Sequence, residues 1–463
     1  MHVKWIEVTG LRGFTGPCRI QFGIPNGETG SGLTVIVGPN NAGKSTVIEA
    51  LRALSKPSPP SFSEGQRNVK AGSRVEIRVC NSEDITKEIR TTEAGGSETE
   101  WVNPGAWPPP SQIFVLPSRR TFQPFFGKSL LTREQFVTAY GLPPVRGQPI
   151  DHFSGRIFQM QANRDAFDRV LGRVLRPLPD WRIELADNGT YYLKFDFWGQ
   201  CHNSDGAGDG LVSLLFIVDA LYDSQPGSII AIDEPELSLH PSLQRKLADL
   251  IAEYAKDRQI VLATHSPYFV DWAWVVAGAR IARLVRESSG LVSYQLTDKY
   301  LKRIEGLRRN LNNPHILGLD ARGVFFLEDN VILVEGQEDV ICYRQIAQQL
   351  QIDLPGEFYG WGVGGAHNMR IIAGVLNELG FKKVVGLLDN NHRAECDLLS
   401  EEFPGYRFMT IPADDVRSKP EIKARDPVYG LLDEDGTLRD HYRAQMTEIF
   451  RSINSYLSPD ATR

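Results

Sequence analysis

The sequence predicts an α/β protein: a parallel-sheet domain with a β-rich part and a helical insertion, followed by a smaller parallel α/β domain. Three observations predict this fold class. Residues 1–55 are typical of a strand, a loop, a strand, a glycine-rich loop and a helix. A second strand–helix alternation occupies residues 204–298, and a third begins after residue 330. Apolar strands that alternate with helices are typical of parallel sheets. We expect one domain at residues 1–328 and the other at residues 329–463.

Length and composition set the first limits on function. A chain of 463 residues is too long for one ordinary core, which favours two domains. The net charge of −6 argues against a surface coated in nucleic acid but is compatible with a local basic groove. No apolar run approaches the roughly 20 residues needed to cross a bilayer. Five cysteines without paired spacing indicate reduced thiols, so we expect a cytoplasmic protein with no membrane partner.

The remaining segments predict the other elements. Residues 57–118 are rich in Pro, Gly, Ser and Thr with short alternating stretches, which favours a small antiparallel sheet. Apolar residues at helical spacing predict a helical insertion around residues 120–180. Residues 181–197 are typical of a β-hairpin. A basic helix begins near residue 299, and a last helix is expected at residues 437–457.

A glycine-rich loop stands between an apolar strand and a helix in LTVIVGPNNAGKSTVIEAL, residues 33–51. Glycines let backbone N–H groups turn toward phosphate oxygens, and the helix N-terminus adds its dipole. Lys44 would reach the β- and γ-phosphates of ATP, and Ser45 would bind Mg²⁺. The alternative, a chance glycine loop, carries little weight because strand and helix are both present. The residues expected to contact nucleotide here are Gly38, Asn40, Asn41, Gly43, Lys44, Ser45 and Thr46.

Two further strands carry polar residues at their carboxyl ends. The run SIIAIDEPELSLHP, residues 228–241, places Asp233 and Glu234 after an apolar strand. Such an end lies beside the phosphate loop in a parallel sheet. We expect Asp233 to hold Mg²⁺ through water and Glu234 to polarise the attacking water. His265 follows the next apolar strand and is expected to sense the γ-phosphate, although a lone histidine is usually an ordinary surface or core residue.

These motifs, in this order, resemble ABC-type ATPases of the SMC and RecF kind. NSDGAGDG at residues 203–210 is similar to their signature loop, with Ser204 and Gly206 in the key places, and lacks the usual ending. GLRGF at residues 10–14 resembles their N-terminal element, with Arg12 as the arginine near the nucleotide. DEPELSLHP is similar to the AAA-15 and OLD (overcoming lysogenisation defect) branch. The resemblance implies a nucleotide sandwiched between two protomers, and hence a homodimer or higher homo-oligomer.

Carboxylates recur after the strands of the second domain. Glu335 ends a strand, Asp339 follows in the first turn of a helix, and Asp389 ends a later strand. Parallel strands would bring these oxygen ligands to one edge, where Mg²⁺ or Mn²⁺ could activate water for attack on a phosphodiester. Taken singly, Asp339 could serve only its helix N-terminus and Asp389 could cap a turn. The ordered set, with a glycine turn between, resembles a Toprim domain, and together with the ATPase it resembles OLD-family nucleases.

The second domain departs from the Toprim pattern at one position. Toprim proteins usually end the third strand in Asp-x-Asp, whereas this chain has Asn391 at the second place. Asp414 or Asp415 could substitute for the missing carboxylate. The resemblance implies an ATP-gated nuclease, and many members of the OLD family act in bacterial defence against phage. The alternatives are an ATPase scaffold whose degenerate Toprim domain docks a separate effector protein, and an ATPase of DNA repair or recombination.

Short basic clusters predict a contact with DNA or another nucleic acid. Their alternative interpretation is that they form solvated helix and loop faces, as most charge clusters do. The residues concerned are Arg119, Arg120, Lys302, Arg303, Arg308 and Arg309.

Overall fold

A computed structural model divides the chain into two compact units, Met1–Gln295 and Leu296–Arg463. The described residues are 2–56, 58–68, 74–103, 112–129, 131–140, 150, 152–197, 199–206, 208–309, 318–326, 329–419 and 427–458.

The first unit contains three sheets among its described residues. Its strands are β1 (Val3–Thr9), β2 (Cys18–Gln21), β3 (Leu33–Val37), β4 (Glu76–Asn81), β5 (Thr86–Thr91), β6 (Thr99–Asn103), β7 (Ile113–Leu116), β8 (Phe125–Phe126), β9 (Asp180–Leu185), β10 (Tyr191–Phe197), β11 (Gln200–Asn203), β12 (Ile229–Asp233), β13 (Gln259–Ala263), β14 (Arg280–Glu287) and β15 (Gly290–Gln295). Its helices are α1 (Lys44–Leu54), α2 (Arg133–Tyr140), α3 (Phe153–Ala162), α4 (Arg164–Val174), α5 (Asp209–Asp223), α6 (Pro241–Tyr254) and α7 (Trp272–Ala277).

The central sheet has the order β15-β14-β3-β13-β12-β7. Each pair of neighbouring strands in this sheet is parallel, except the pair of β14 and β15, which is antiparallel. Strands β3, β12 and β13 are buried at every residue, as expected for parallel strands covered on both faces. Because β13 lies between β3 and β12, the carboxyl ends of the glycine-loop strand and the Asp233 strand open at the same sheet edge.

The predicted β-rich part is an antiparallel sheet of order β2-β1-β4-β5-β6. It shares one hydrophobic core with α1 and the central sheet, in which Ile6 and Ile77 meet Val47, Leu51 and Ala263. This packing fixes the position of α1, and therefore of the loop that precedes it.

The predicted helical insertion corresponds to α2, α3 and α4. In α4, Phe167, Leu171 and Val174 are fully buried at helical spacing. The predicted hairpin is confirmed as β9 and β10, joined by a turn in which Gly189 has a φ of 79°.

The second unit contains one parallel sheet, of order β17-β16-β18-β19, in its described part. Its strands are β16 (Val331–Leu333), β17 (Glu357–Phe358), β18 (Val384–Leu388) and β19 (Arg407–Thr410). Its helices are α8 (Asp298–Arg309), α9 (Leu319–Arg322), α10 (Gln337–Leu350), α11 (Ala366–Glu378), α12 (Arg393–Glu402) and α13 (Asp440–Leu457).

The division between the units falls before α8, earlier than the boundary expected at residue 328. Tyr300 and Ile304 of α8 are buried within the second unit, and the Tyr300 ring lies directly over Gly374 of α11. The backbone N–H of Thr297 also donates to Glu378, at 2.7 Å. The basic helix thus belongs with the second sheet because its apolar face packs there.

Candidate nucleotide site and carboxylate cluster

The loop between β3 and α1 has the backbone that phosphate binding requires. Asn41 and Gly43 both adopt left-handed conformations, with φ of 62° and 86°. The Lys44 Nζ donates to the carbonyl oxygens of Gly38 and Pro39, each at 2.9 Å. The side chain therefore folds back over the loop that a nucleotide would enter.

Lys44 is nearly enclosed, at 6% exposure. Burial lowers the pKa of Lys44 to about 8, while the negative charges of Asp233, Glu234 and Glu236 act in the opposite direction. An added anion such as a phosphate would strongly stabilise the charged form of a cation buried in this way.

Ser45 and Asp233 meet at the sheet edge. The Ser45 hydroxyl donates to Asp233 Oδ1 at 3.0 Å, although the two residues are 188 positions apart. Asp233 is 4% exposed. A hydroxyl and a carboxylate in contact are a donor set that suits Mg²⁺, which prefers oxygen ligands. The sequence prediction placed these two residues together, and their geometry agrees with it.

Glu234 follows Asp233 directly and has a φ of 50°, a left-handed conformation that a non-glycine residue adopts only when its surroundings hold it. Its backbone N–H donates to Ala263 of β13 at 2.7 Å. His265 lies just beyond the end of β13, where partial burial and then the charge of Lys44 lower its pKa. The two expected reaction residues thus follow the ends of neighbouring strands.

Glu236 was not singled out from the sequence, although it lies in the same run. Its carboxylate accepts from the Thr264 hydroxyl at 2.7 Å and from the His265 backbone N–H at 2.6 Å. Burial raises the pKa of Glu236. This contact joins the loop after β12 to the segment that carries His265.

Arg120 was expected in a nucleic-acid contact, and the structure contradicts this. It is 5% exposed, and its guanidinium donates to backbone carbonyls of Asp233 and Glu234 at 2.8 and 2.9 Å. Such a buried group cannot meet a phosphate backbone. Arg119 is exposed, as is Lys302 of α8, whereas Arg303 stacks over Tyr300. The side chains of Arg308 and Arg309 lie outside the described residues.

The signature-like loop lies beside a cavity of about 360 Å³. The backbone N–H of Gly206 donates to the Asn203 backbone, closing a turn before α5. Ser118 and Ser204 are among the residues that line the cavity, and their buried hydroxyls have no hydrogen-bond partner among the described residues. None of the described residues that line it belongs to the glycine-rich loop. The cavity is therefore distinct from the glycine-rich loop of the same unit.

Arg12 forms an ion pair with Glu49 of α1, at 2.8 Å, and has a φ of 49°. The predicted nucleotide arginine is thus held against the helix that follows the phosphate loop. Asn40 and Asn41 are exposed at the tip of that loop, and Thr46 is buried in the first turn of α1.

The carboxylates of the second unit come together as the order of strands predicts. Glu335 follows β16, and its Oε1 accepts from the backbone N–H of Asp389, which follows β18, at 3.0 Å. Asp339 accepts from the backbone N–H of Gly336 at 2.8 Å. Asp339 therefore caps the N-terminus of its helix, which was the alternative role, and it also lies near enough to Glu335 for the two charges to interact.

Burial and mutual repulsion act on this cluster. Burial first, and then the charges of Glu335, Asp339 and Asp415, raise the pKa of Asp389 to about 8. The pKa of Asp339 rises to about 6 for the same reasons, burial first. Lys419 acts in the opposite direction on both. A cation between carboxylates that repel one another would stabilise their ionised forms.

The cluster is not arranged as a finished metal site. Among the described residues, no group of three or more His, Cys, Asp or Glu side chains is placed to hold a metal ion. One oxygen each of Glu335 and Asp339 already accepts from a backbone N–H. The donor chemistry suits a divalent cation, whereas the geometry would need side-chain movement.

Asp414 and Asp415 are the two candidates for replacing the carboxylate that the Toprim pattern has at the position of Asn391. Asn391 is exposed. Asp415 affects the pKa values of both Asp339 and Asp389, whereas Asp414 accepts a hydrogen bond from Asn390 at 3.2 Å. Asp415, which is ion-paired with Lys419, is therefore the closer electrostatic neighbour of the cluster.

Comparison with known proteins supports an ATPase. Two family models match the chain, one described as "AAA domain" over residues 6–123 and one as "AAA domain, putative AbiEii toxin, Type IV TA system" over residues 199–271. The OLD nuclease of Thermus scotoductus is 34% identical over 165 residues, which cover 34% of this chain and 30% of that protein. The chain contains an OLD-like ATPase domain. The two AAA matches lie on either side of the helical insertion and include both strands of its nucleotide site.

Endonuclease GajA of Bacillus cereus is 24% identical over 220 residues, covering 44% of this chain and 35% of that protein. The chain thus spans about a third of the length of both curated relatives. Among solved structures, the Smc head domain of Pyrococcus furiosus is 15% identical with a TM-score of 0.43, covering 66% of this chain and 99% of that one. That score is too low to support a conclusion about the OLD-like ATPase domain. In the part of the chain that the structure describes, no helix is long and apolar enough to cross a membrane.

Proposed function

We propose that the protein binds and hydrolyses ATP and couples its nucleotide state to metal-dependent cleavage of nucleic acid, in bacterial defence against phage. The observation that carries the ATPase part is the convergence of Lys44, Ser45 and Asp233 at one sheet edge, with Ser45 and Asp233 at 3.0 Å. A cation, a hydroxyl and a carboxylate at a helix N-terminus match the needs of a nucleoside triphosphate with Mg²⁺.

Each residue of the site has a distinct role in this proposal. Lys44 neutralises the β- and γ-phosphates, Ser45 and Asp233 hold Mg²⁺, and Glu234 orients and polarises the attacking water. His265 contacts the γ-phosphate. Bound Mg²⁺ would supply charge stabilisation as the phosphoryl group leaves. The loop residues with the phosphate-binding role are Gly38, Asn40, Asn41, Gly43 and Thr46.

The site is completed by a second copy of the chain, so the working form is a homodimer or a higher homo-oligomer. Ser204 and Gly206 of one protomer would face the nucleotide held by the other, with Arg12 on the P-loop side. The unpartnered hydroxyl of Ser204, beside an open cavity, supports this assignment because a buried hydroxyl without a partner is costly.

The second unit is proposed as a Toprim-like nuclease domain. Support comes from the order β16, Glu335, α10, β17, glycine turn, α11, β18, Asp389, and from two relatives that are named as nucleases. Glu335, Asp339 and Asp389 would hold Mg²⁺ or Mn²⁺, with Asp415 as a fourth carboxylate. The substrate would be DNA or another nucleic acid. Because the net charge of the chain is −6, the surface that binds it would be a local basic one.

Nicking of supercoiled plasmid tests the nuclease part directly. Purified protein would be incubated with Mg²⁺ or Mn²⁺, with and without ATP, beside the variants Glu335→Ala and Lys44→Ala. The proposal expects cleavage that the Glu335 change abolishes and that ATP alters only when Lys44 is present. Cleavage that persists in Glu335→Ala would point to a contaminating nuclease and remove the assignment.

A second function is favoured by Asn391 and by the unassembled cluster. In this alternative the OLD-like ATPase domain acts as a sensor, and the degenerate second domain docks and releases a separate effector protein. It expects intact ATP hydrolysis with no cleavage under any metal condition. The plasmid assay therefore separates the two functions.

A further inference from the structure

Arg120 is the most enclosed cation beside the nucleotide site, and it has no part in the roles assigned above. Its Nη1 donates to the carbonyl oxygens of Pro117 and Asp233, at 2.9 and 2.8 Å. Its Nη2 donates to the carbonyl oxygen of Glu234 at 2.9 Å. Its Nε donates to the Ser213 hydroxyl at 2.8 Å. All three guanidinium nitrogens therefore donate hydrogen bonds within the first unit.

These contacts join three elements: the strand β7, its sheet neighbour β12, and the helix α5. Pro117 follows the edge strand β7, and Asp233 and Glu234 end and follow β12. Ser213 lies one turn into α5, the helix that the signature-like loop leads into. A planar guanidinium with donors in fixed directions suits such a clamp, whereas a lysine could not reach all four acceptors.

The backbone at Glu234 explains why a clamp is needed. Its φ of 50° is a conformation that a non-glycine residue leaves unless its surroundings hold it. Arg120 holds the Glu234 carbonyl while Ala263 holds its N–H. A small rotation here would swing the carboxylate away from the γ-phosphate, and reaction rates fall steeply with such misplacement.

We propose that Arg120 is a positioning residue that fixes the Glu234 carboxylate for hydrolysis and ties it to α5, so that engagement of the signature-like loop reaches the water-polarising group. This inference rests on the proposed ATPase function. It assigns a purpose to a side chain whose guanidinium donates to acceptors of the protein itself, and it predicts that turnover and binding respond differently when the clamp is weakened.

The test compares Arg120→Lys with Arg169→Lys in the whole chain. Both keep the charge, and Arg169 is an exposed residue of α4 that has no assigned role. For Arg120→Lys we expect kcat for ATP to fall by about tenfold or more while the Kd for a non-hydrolysable ATP analogue changes by less than about threefold. Arg169→Lys should match the wild type. A kcat equal to wild type in Arg120→Lys would overturn the inference, as would a loss of affinity equal to the loss in kcat.

Two further variants keep the test decisive if Arg120→Lys folds poorly. Ser213→Ala removes one of the clamp's bonds and should lower kcat by a few fold at unchanged Kd. In a Glu234→Gln background, Arg120→Lys should cost little further activity, because the group that it positions is already disabled. Independent, multiplicative losses would instead show a merely structural role. If the wild type itself does not hydrolyse ATP, the proposed function fails, whereas a normal Arg120→Lys enzyme removes only the clamp.

Discussion

Lys44 and Asp233 are each less than a tenth exposed, and both carry a charge in water at neutral pH. Enclosing such charges is costly unless they are paired or hydrogen-bonded. Lys44 has two carbonyl acceptors and nearby negative charges, and Asp233 accepts from Ser45. Phosphates and Mg²⁺ would be stronger partners for both. At the residue scale, the site is thus arranged for the charges that a nucleotide with Mg²⁺ supplies.

Replacing Glu234 by Gln should separate binding from hydrolysis. The amide keeps the size of the side chain but cannot polarise water as a base, so turnover should fall by roughly a hundredfold or more while ATP still binds. Phosphate release and the Kd of ATP measure the two effects. Glu93→Gln, an exposed position remote in sequence, is the matched control. Normal turnover in Glu234→Gln would show that another group activates the water.

The lowered pKa of Lys44 predicts a pH dependence of ATP affinity. In the free protein this pKa is about 8, and bound phosphates would raise it because they stabilise the ammonium. Binding then takes up a proton above about pH 8, so the Kd should be flat below that value and rise by up to about tenfold per unit above it. Calorimetry with a non-hydrolysable analogue measures this.

The same shift also affects folding stability, with a defined sign. Between the folded pKa of about 8 and the ordinary lysine value of 10.5, the unfolded chain holds a proton that the folded one lacks. Unfolding therefore becomes less favourable as pH rises through that window. Lys87→Arg is the control for the affinity effect, because burial lowers the pKa of Lys87 to about 8 as well, away from the phosphate loop. An ATP Kd that stays flat to about pH 9 would contradict the Lys44 assignment.

At the element scale, parallel strand order brings the candidate groups together. Ser45 and Asp233 are predictable from sequence because each signal is local: a glycine loop before a helix, and a carboxylate after an apolar strand. The rule that parallel strands end at one edge then predicts their contact. Arg120 is not predictable in this way, because Ser213 and Asp233 lie 93 and 113 residues away along the chain. A basic pair in a loop gives no sign of such partners.

The placement of α8 shows a second limit of sequence reasoning. Tyr300 and Ile304 at helical spacing predict a buried face, but the pattern cannot say which sheet covers it.

Ile304→Ala should lower the stability of the second unit by about 2–4 kcal/mol, because Ile304 is 2% exposed. ATP affinity should not change. Denaturant unfolding followed by circular dichroism measures the loss, with the exposed Lys302→Ala on the same helix as control. Equal stability of the two variants would contradict the packing.

The loop after β19 carries the prediction for the carboxylate cluster. Asp415→Asn should weaken Mn²⁺ binding by about tenfold or more, because it removes a charge that acts on both Asp339 and Asp389. Asp414→Asn should have a much smaller effect, since Asp414 contacts Asn390 instead. Electron paramagnetic resonance of free Mn²⁺ measures the affinity. Equal losses in the two variants would leave the choice between these residues unsupported.

At the scale of the whole molecule, the proposed nucleotide sandwich predicts that ATP controls assembly. The lining of the cavity beside Ser204 includes none of the described residues of the phosphate loop, so in one chain the two half-sites are separate. A nucleotide that binds one half-site of each of two chains would join them, and hydrolysis would release them. Glu234→Gln with ATP should therefore sediment as a dimer or larger, since the closed state persists when turnover stops. Lys44→Ala with ATP should remain in the form seen without nucleotide.

Ser204→Arg in the Glu234→Gln background should bind ATP normally yet fail to assemble, because a large cation replaces a buried hydroxyl at the shared face. Assembly that is unaffected by ATP, or that survives Ser204→Arg, would show that the chains associate through another surface.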